Sequence, residues 1–300
     1  MAARQLRWIL FFEFLGYLFW ANWLSSHAGW TPGEVACFVA GFFFGGRLLF
    51  VLTTFALSRP TSDPVPPGLR AGPLGALRML LGEYLALCVL FTVVQPFERF
   101  WLGPDRLAHC AARPLPLLLI HGYQCNRGFW FWLRRKLEAS GWTVATHSLE
   151  PVYADIDSYS EGIARRIDEV LAATGAPQVI LVGHSMGGVA SRAYLRRHGI
   201  AKVARLVTLG SPHRGTRLAR LGLGPNARQM RLGSDWLNAL QAPLPAASVS
   251  IYSLHDNYVY PQQACSTLNG AANVAIGGVG HLGMAFSPRV LGSLQEALEA

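Results

Sequence analysis

Residues 178–198 read QVILVGHSMGGVASRAYLRRH, and this stretch decides the fold. The run 178–182 is short, apolar, rich in β-branched residues and preceded by Pro177, the pattern of a buried strand. From Val189 the residues take a helical pattern. Between the two, Gly183, Ser185 and Gly187 fit G-x-S-x-G in the context that gives the pattern meaning, a strand before it and a helix after it. A sharp strand-to-helix turn lifts the Ser185 hydroxyl above the sheet. It also sets that hydroxyl at a helix N-terminus, where free N–H groups and the macrodipole favour developing negative charge.

Outward from this point the chain alternates strand and helix patterns. Strands are expected at 115–120, 143–147, 178–182, 205–209, 249–253 and 273–276, and helices near 129–140, 158–174, 186–198, 228–240 and 288–299. Such alternation predicts a doubly wound, mostly parallel α/β sheet, whose chemistry gathers at the carboxyl ends of the strands. A catalytic domain over 106–300 follows, preceded by a different region over 1–105.

A serine hydroxyl needs a base, and the base an orienting acid. In this fold both come later in the chain, acid first. Asp256 lies just past the strand at 249–253, whereas Asp235 sits at an expected helix start, where an acid has an ordinary capping role. Neighbouring side chains on extended backbone point opposite ways, which sets His255 aside. His281, flanked by glycines after the last strand, is the expected base; His213 precedes Asp256 and is expected to be structural. Oxyanion donors are expected at the N–H of Met186 and at the N–H of Tyr123, in the loop after the strand at 115–120.

The segments HGYQCN (121–126), GHSMGG (183–188), TLGSPHRGT (208–216), HDNYV (255–259) and GVGH (278–281), in this order, resemble the bacterial lipase and esterase branch of the α/β-hydrolase family. The resemblance runs from about residue 114 to 288. It implies an α/β-hydrolase fold, ester hydrolysis through an acyl-enzyme on Ser185, and an oxyanion hole at Tyr123 and Met186, with no metal or organic cofactor. Five arginines between 214 and 231 read either as a basic lid over the cleft or as a solvated helix.

The first third is different. Hydrophobic residues make up 51% of the chain and charged ones 14%. That composition excludes disorder, and five cysteines are too few for a disulfide scaffold. Apolar runs at 8–24 and 35–57 are long enough to cross a bilayer. A third run at 79–97 is interrupted by Glu83 and Gln95; it reads as a third crossing, with Arg47 facing a carboxylate of a neighbouring helix and Glu83 a candidate partner. Arg4 and Arg7 before the first run, and Arg59, Arg70 and Arg78 after the second, assign those ends to the cytoplasm. Three crossings would then put the hydrolase in the periplasm of a bacterial inner-membrane protein. The net charge of +9 is spread out and accompanied by no nucleic-acid motif, so nucleic acid is not an expected partner. The bilayer and a lipid or other ester are. An acyltransferase sharing the acyl-serine step and an idle membrane scaffold are the alternatives. Cys110, Cys125 and Cys265 are expected as free thiols.

Overall fold

The computed structural model describes residues 1–107 and 113–299; Cys110 lies outside the described residues. Two long helices, α1 (Ala2–His27) and α2 (Pro32–Ser58), come first. Thr31 opens α2 with a capping box: its hydroxyl accepts the Glu34 amide while the Glu34 carboxylate accepts the Thr31 amide. α3 (Pro73–Cys88) continues through a π-helical turn (Val89–Val94) and a 3-10 turn (Gln95–Phe97) into the short α4 (Glu98–Leu102). The sheet-bearing part then runs β1 (Leu117–Ile120), α5 (Phe131–Ala139), β2 (Val144–His147), α6 (Tyr159–Thr174), β3 (Val179–His184), α7 (Met186–His198), β4 (Val203–Leu209), α8 (Gly224–Gln229), α9 (Asp235–Asn238), β5 (Val249–Ser253), α10 (Gln262–Ser266), β6 (Ala272–Ile276) and α11 (Pro288–Glu299).

The strands form a sheet in the order β2-β1-β3-β4-β5-β6, with every pairing parallel. Parallel strands are buried on both faces, which explains their nearly unbroken apolar runs. Alternate residues feed two cores. Leu117 and Leu119, Ile180 and Val182, and Val207 and Leu209 face α5, α11 and α3. Leu118 and Ile120, Val179 and Leu181, and Val203 and Leu206 face α6 and α7. Each fully buried leucine or isoleucine contributes roughly 1.5–3 kcal/mol over leaving it exposed.

The expected helix at 228–240 is instead two short ones, α8 and α9. Arg231 makes an isolated bridge with Thr216, and the Ser234 hydroxyl caps α9 by accepting the Leu237 amide. Asp235 occupies the first turn of α9, as its position suggested.

Two runs are long and apolar enough to cross a membrane, 32–61 and 73–102. α1 is of similar length and bares Ile9, Phe12 and Phe19, but its tryptophans and Asn22 dilute its hydropathy. α1 and α2 form an antiparallel hairpin. Arg47 donates to both carboxylate oxygens of Glu13 at 2.9 and 2.8 Å, and Tyr17 packs edge-on against Phe42 and Phe43. Arg47 therefore meets a carboxylate of a neighbouring helix, Glu13 rather than Glu83.

The sheet-bearing part meets this hairpin at the end that holds the start of α1 and the close of α2. Arg7 near the start of α1 donates to the Pro96 carbonyl at 2.8 Å, and Val51, Thr54 and Ser58 near the end of α2 are buried. α3 has two unlike faces. Leu77, Leu81, Leu85, Val89 and Val93 form an exposed apolar stripe, while Ala86 and Leu90 belong to the sheet-covering core and Glu83, Val94 and Gln95 are buried beside it. The run that sequence reads as a third crossing is thus long and apolar enough to span a membrane and also packs one side on the sheet-covering core.

The connection from α4 into the sheet is pinned by charge. Asp105, nearly buried, meets Arg134 at 3.0 Å, Arg166 at 2.6 Å and Arg127 at 3.7 Å, and accepts the Thr146 amide of β2 at 2.7 Å. Upstream, the buried Gln95 accepts the Asn126 amide at 2.8 Å through Oε1, and its carbonyl accepts Asn126 Nδ2 at 2.8 Å.

Candidate active site

Ser185 stands between β3 and α7 with φ 55° and ψ −126°. A non-glycine residue in this region costs of order 1–3 kcal/mol, and it persists because its surroundings hold it. The Ser185 amide donates to the Leu209 carbonyl at 2.9 Å, and its own carbonyl accepts the Gly188 amide at 3.1 Å. The elbow is thus tied to β4 on one side and to the first turn of α7 on the other.

Asp256 and His281 come together from the loops after β5 and β6. His281 Nδ1 donates to Asp256 Oδ2 at 2.8 Å. Asp256 Oδ1 is occupied separately, accepting the amides of Tyr258 and Val259, both at 2.8 Å. Each carboxylate oxygen therefore has its own task, and the imidazole is held with its proton on Nδ1 and Nε2 bare. The Tyr258 ring stacks on His281 with centroids 4.9 Å apart. On the other side, the ring of His184, the residue before Ser185, lies 4.6 Å from that of His281. Burial, the largest single influence, lowers the His281 pKa, but the charge and hydrogen bond of Asp256, with the nearby Glu83, outweigh it and leave it raised.

The loop after β1 supplies the second feature. His121 Nε2 accepts the Leu149 amide at 2.9 Å, so the proton sits on Nδ1, which donates to the Gly122 carbonyl at 2.8 Å. Burial holds His121 down to about 4, so the ring is neutral. In a trans peptide the carbonyl and the following N–H point opposite ways. With the Gly122 carbonyl drawn to His121, the Tyr123 N–H is turned the other way. A Cβ on Gly122 would stand 2.8 Å from Ser185 Cβ, so only glycine lets this loop lie against the serine. The Tyr123 hydroxyl reaches the flap that contains the arginines: it donates to the Leu223 carbonyl and accepts the Leu223 amide, each at 2.8 Å. Met186 begins α7, where its N–H has no carbonyl four residues earlier in the helix to meet.

His213 is buried away from the acid. Its Nε2 is 2.9 Å from Thr208 Oγ1 on β4, so it braces the neighbouring strand rather than its own loop. His255 Nδ1 accepts the Gly278 amide at 3.0 Å, a structural role for the histidine adjacent to Asp256. Cys125 and Cys265 are free, and burial pushes both thiols up to about 12, which keeps them protonated. Among the described residues no cluster of His, Cys, Asp or Glu is placed to hold a metal ion. Arg217 and Arg220 share one short 3-10 turn (Arg217–Leu221), whereas Arg214 lies before it and reaches Asn269.

Sequence reasoning did not anticipate the supports behind His281. Asn257 Oδ1 accepts the His281 amide at 3.0 Å, and Asn257 Nδ2 donates to Thr54 Oγ1 of α2 at 2.7 Å. Glu83 of α3 accepts the amides of Leu282 and Gly283 at 3.0 and 2.7 Å. The one signal in the sequence was Glu83 itself, a carboxylate inside an apolar run that had to have a partner.

A parallel sheet with a strained serine at the end of β3 and an acid–histidine pair from the loops after β5 and β6 is the α/β-hydrolase fold. A family model described as alpha/beta hydrolase fold matches residues 116–231. A triacylglycerol lipase of Pseudarthrobacter phenanthrenivorans is 34% identical over 117 residues, 36% of this chain and 36% of that protein. One of Burkholderia plantarii is 34% identical over 117 residues, 36% of this chain and 32% of the lipase. The chain thus matches about a third of the length of these curated relatives. Among solved structures, the mature lipase of Bacillus licheniformis superposes with a TM-score of 0.56 at 19% identity, covering 65% of this chain and 96% of that one. Lipase B of Aspergillus fumigatus gives 0.58 at 18% identity, covering 70% of this chain and 58% of its own.

Proposed function

We propose that this chain is a membrane-anchored serine hydrolase that cleaves a carboxylic ester, of a lipid, through an acyl-enzyme. The observation that carries the reading is the arrangement of Asp256: one oxygen fixed by two amides, the other by His281 Nδ1, beside the strained serine of the elbow. Ser185 Oγ adds to the ester carbonyl carbon while His281 Nε2 takes its proton. The resulting oxyanion is met by the N–H groups of Met186 and Tyr123. Collapse expels the alcohol, which receives the proton from His281, and water then repeats the sequence to free the acid. The lipases among the relatives and the exposed apolar helices beside the site support a lipid substrate.

The hairpin supports a particular orientation. The N-terminal end of α1 and the C-terminal end of α2 both lie at the hydrolase, so two crossings return the chain to the side on which it began. Arg4, Arg7, Arg59, Arg70 and Arg78 are all at that end, and the turn at 28–31 between the helices has no Lys or Arg. By the positive-inside rule this arrangement supports a hydrolase at the cytoplasmic face, with the apolar stripe of α3 against the bilayer surface, in place of the periplasmic side that three crossings imply.

The functional test is labelling of the detergent-purified full chain with a fluorophosphonate, alongside hydrolysis of a series of p-nitrophenyl esters. The wild type labels and hydrolyses, and Ser185→Ala does neither. A wild-type chain that leaves both reagents untouched rejects the reading.

A further inference from the structure

α3 and α2 lie outside the segment that carries the hydrolase motifs, yet both reach the loop of the histidine. After His281 the chain enters a 3-10 turn (Leu282–Phe286), whose first amides have no carbonyl partner within the turn. Glu83 takes two of them, Oε1 accepting Leu282 N at 3.0 Å and Oε2 accepting Gly283 N at 2.7 Å. Its carboxylate caps the turn in the way an acidic side chain caps a helix, although it comes from a helix about two hundred residues earlier. The residue before the histidine is shaped by the same group. A Cβ on Gly280 would stand 2.5 Å from Glu83 Oε2, so the glycine here marks the space that the carboxylate fills.

The amide of His281 itself is held from the second membrane-side helix. It donates to Asn257 Oδ1 at 3.0 Å, and Asn257 can present that oxygen because its Nδ2 is engaged at 2.7 Å by Thr54 Oγ1. Thr54 and Asn257 are both buried. Of three consecutive amides, those of Leu282 and Gly283 are thus fixed by α3 directly and that of His281 by Asn257, which is tied to α2, while Asp256 fixes the ring. Neither helix side chain touches the reacting atoms.

We propose that Glu83, with Thr54 acting through Asn257, is a positioning residue of the catalytic histidine, so that seating of α2 and α3 on the hydrolase sets the alignment of His281 with Ser185. The inference rests on the serine-hydrolase reading above. Replacing Glu83 by glutamine keeps the volume but leaves one oxygen for two amides and turns an NH2 group toward the second. The histidine loop must then shift, and a displacement on the order of 1 Å in a catalytic group costs about 10²-fold in rate.

The experiment measures kcat and KM for ester hydrolysis by the full chain in detergent, with fluorophosphonate labelling rates and thermal melting on the same preparations. Labelling and turnover by the wild type come first, since their absence would reject the underlying reading and not this one. Glu83→Gln is expected to lower kcat and the labelling rate together by about 10²-fold while KM stays within about twofold, because the acyl site is untouched. Thr54→Val, nearly isosteric and able to fold if the glutamine variant does not, is expected to lower kcat by about tenfold or less with the same unchanged KM. Wild-type kcat in both variants, or in folded Thr54→Val alone when Glu83→Gln does not fold, overturns the inference. A loss that appears only in KM, or only as a lower melting temperature with normal kcat below it, overturns it equally, because that is what a merely structural contact would give.

Discussion

Replacing Asp256 by asparagine changes one atom, and the surrounding hydrogen bonds dictate which way the new amide must face. The two N–H groups of Tyr258 and Val259 converge on Oδ1, so the amide oxygen has to occupy that position; an NH2 group there would face two donors. The NH2 then falls where Oδ2 was, 2.8 Å from His281 Nδ1. A donor at that place selects the imidazole tautomer with a bare Nδ1 and a proton on Nε2, which cannot accept from Ser185. The fold is kept and the base is lost. Loss of the correct tautomer in a triad lowers kcat by on the order of 10⁴, equivalent to about 5.5 kcal/mol of transition-state stabilisation. Steady-state hydrolysis of a p-nitrophenyl ester, with thermal melting to show that the variant is folded, measures it. A folded Asp256→Asn within about tenfold of wild type would refute the assignment, because among the described residues no other acid is bonded to the His281 ring.

Other outcomes follow from the same geometry. Because Asp256 and Glu83 leave His281 with a raised pKa, the acidic limb of kcat/KM should lie above the ordinary histidine value of 6.5, and it should move down in Asp256→Asn; a limb below 6.5 in the wild type contradicts the pairing. The matching stability term has the sign of a stabilised imidazolium, fully present below the ordinary histidine range and lost as pH rises through the raised value. Gly122→Ala drives a methyl group toward Ser185 and shifts the Tyr123 N–H, so kcat should drop about 10²- to 10³-fold with melting little changed; unaltered kcat would remove Tyr123 from the oxyanion hole. Asp105→Ala removes the carboxylate that Arg134 and Arg166 share and that accepts the Thr146 amide, leaving Glu138 as the remaining acid on Arg134, and should destabilise the fold by roughly 1–3 kcal/mol in chemical unfolding, whereas no measurable effect would make the cluster incidental. An alkaline phosphatase reporter inserted at Gly29 should be active and one at the C-terminus inactive; the reverse pattern sinks the hairpin orientation.

Much of the hydrolase was legible because its signals are local. Period-two burial, β-branched runs and glycine-flanked turns placed the six expected strands to within a few residues, and chain order after Ser185 singled out Asp256 and His281, which the fold brings to 2.8 Å from each other. The signal weakened where a local pattern had two physical readings. Residues 228–240 carry a helical composition, but Arg231 bridges to Thr216 and Ser234 starts a second helix, and neither tertiary contact is visible in the run itself. In α3 the difficulty is deeper. Leucines that face lipid and leucines that face a protein core are chemically alike, so Leu85 and Leu90 look equivalent although one is exposed and the other buried. Glu83 shows the same limit from the polar side. Its presence announced a partner, and Arg47 was the one opposite charge inside another apolar run, but the partners are backbone amides, which every residue but proline has and no sequence advertises.

Tyr123 has one further consequence. Its backbone N–H is turned away from the Gly122 carbonyl that His121 holds, while its hydroxyl is clasped twice by Leu223 in the arginine-bearing flap. On the proposed reading, the flap and one oxyanion donor are therefore attached to the same residue. Any outward swing of the flap large enough to admit a long acyl chain must either release the tyrosine or carry it along. On the proposed mechanism, a flap that moved with Tyr123 would take one oxyanion donor with it, so turnover would require the flap seated against the loop after β1.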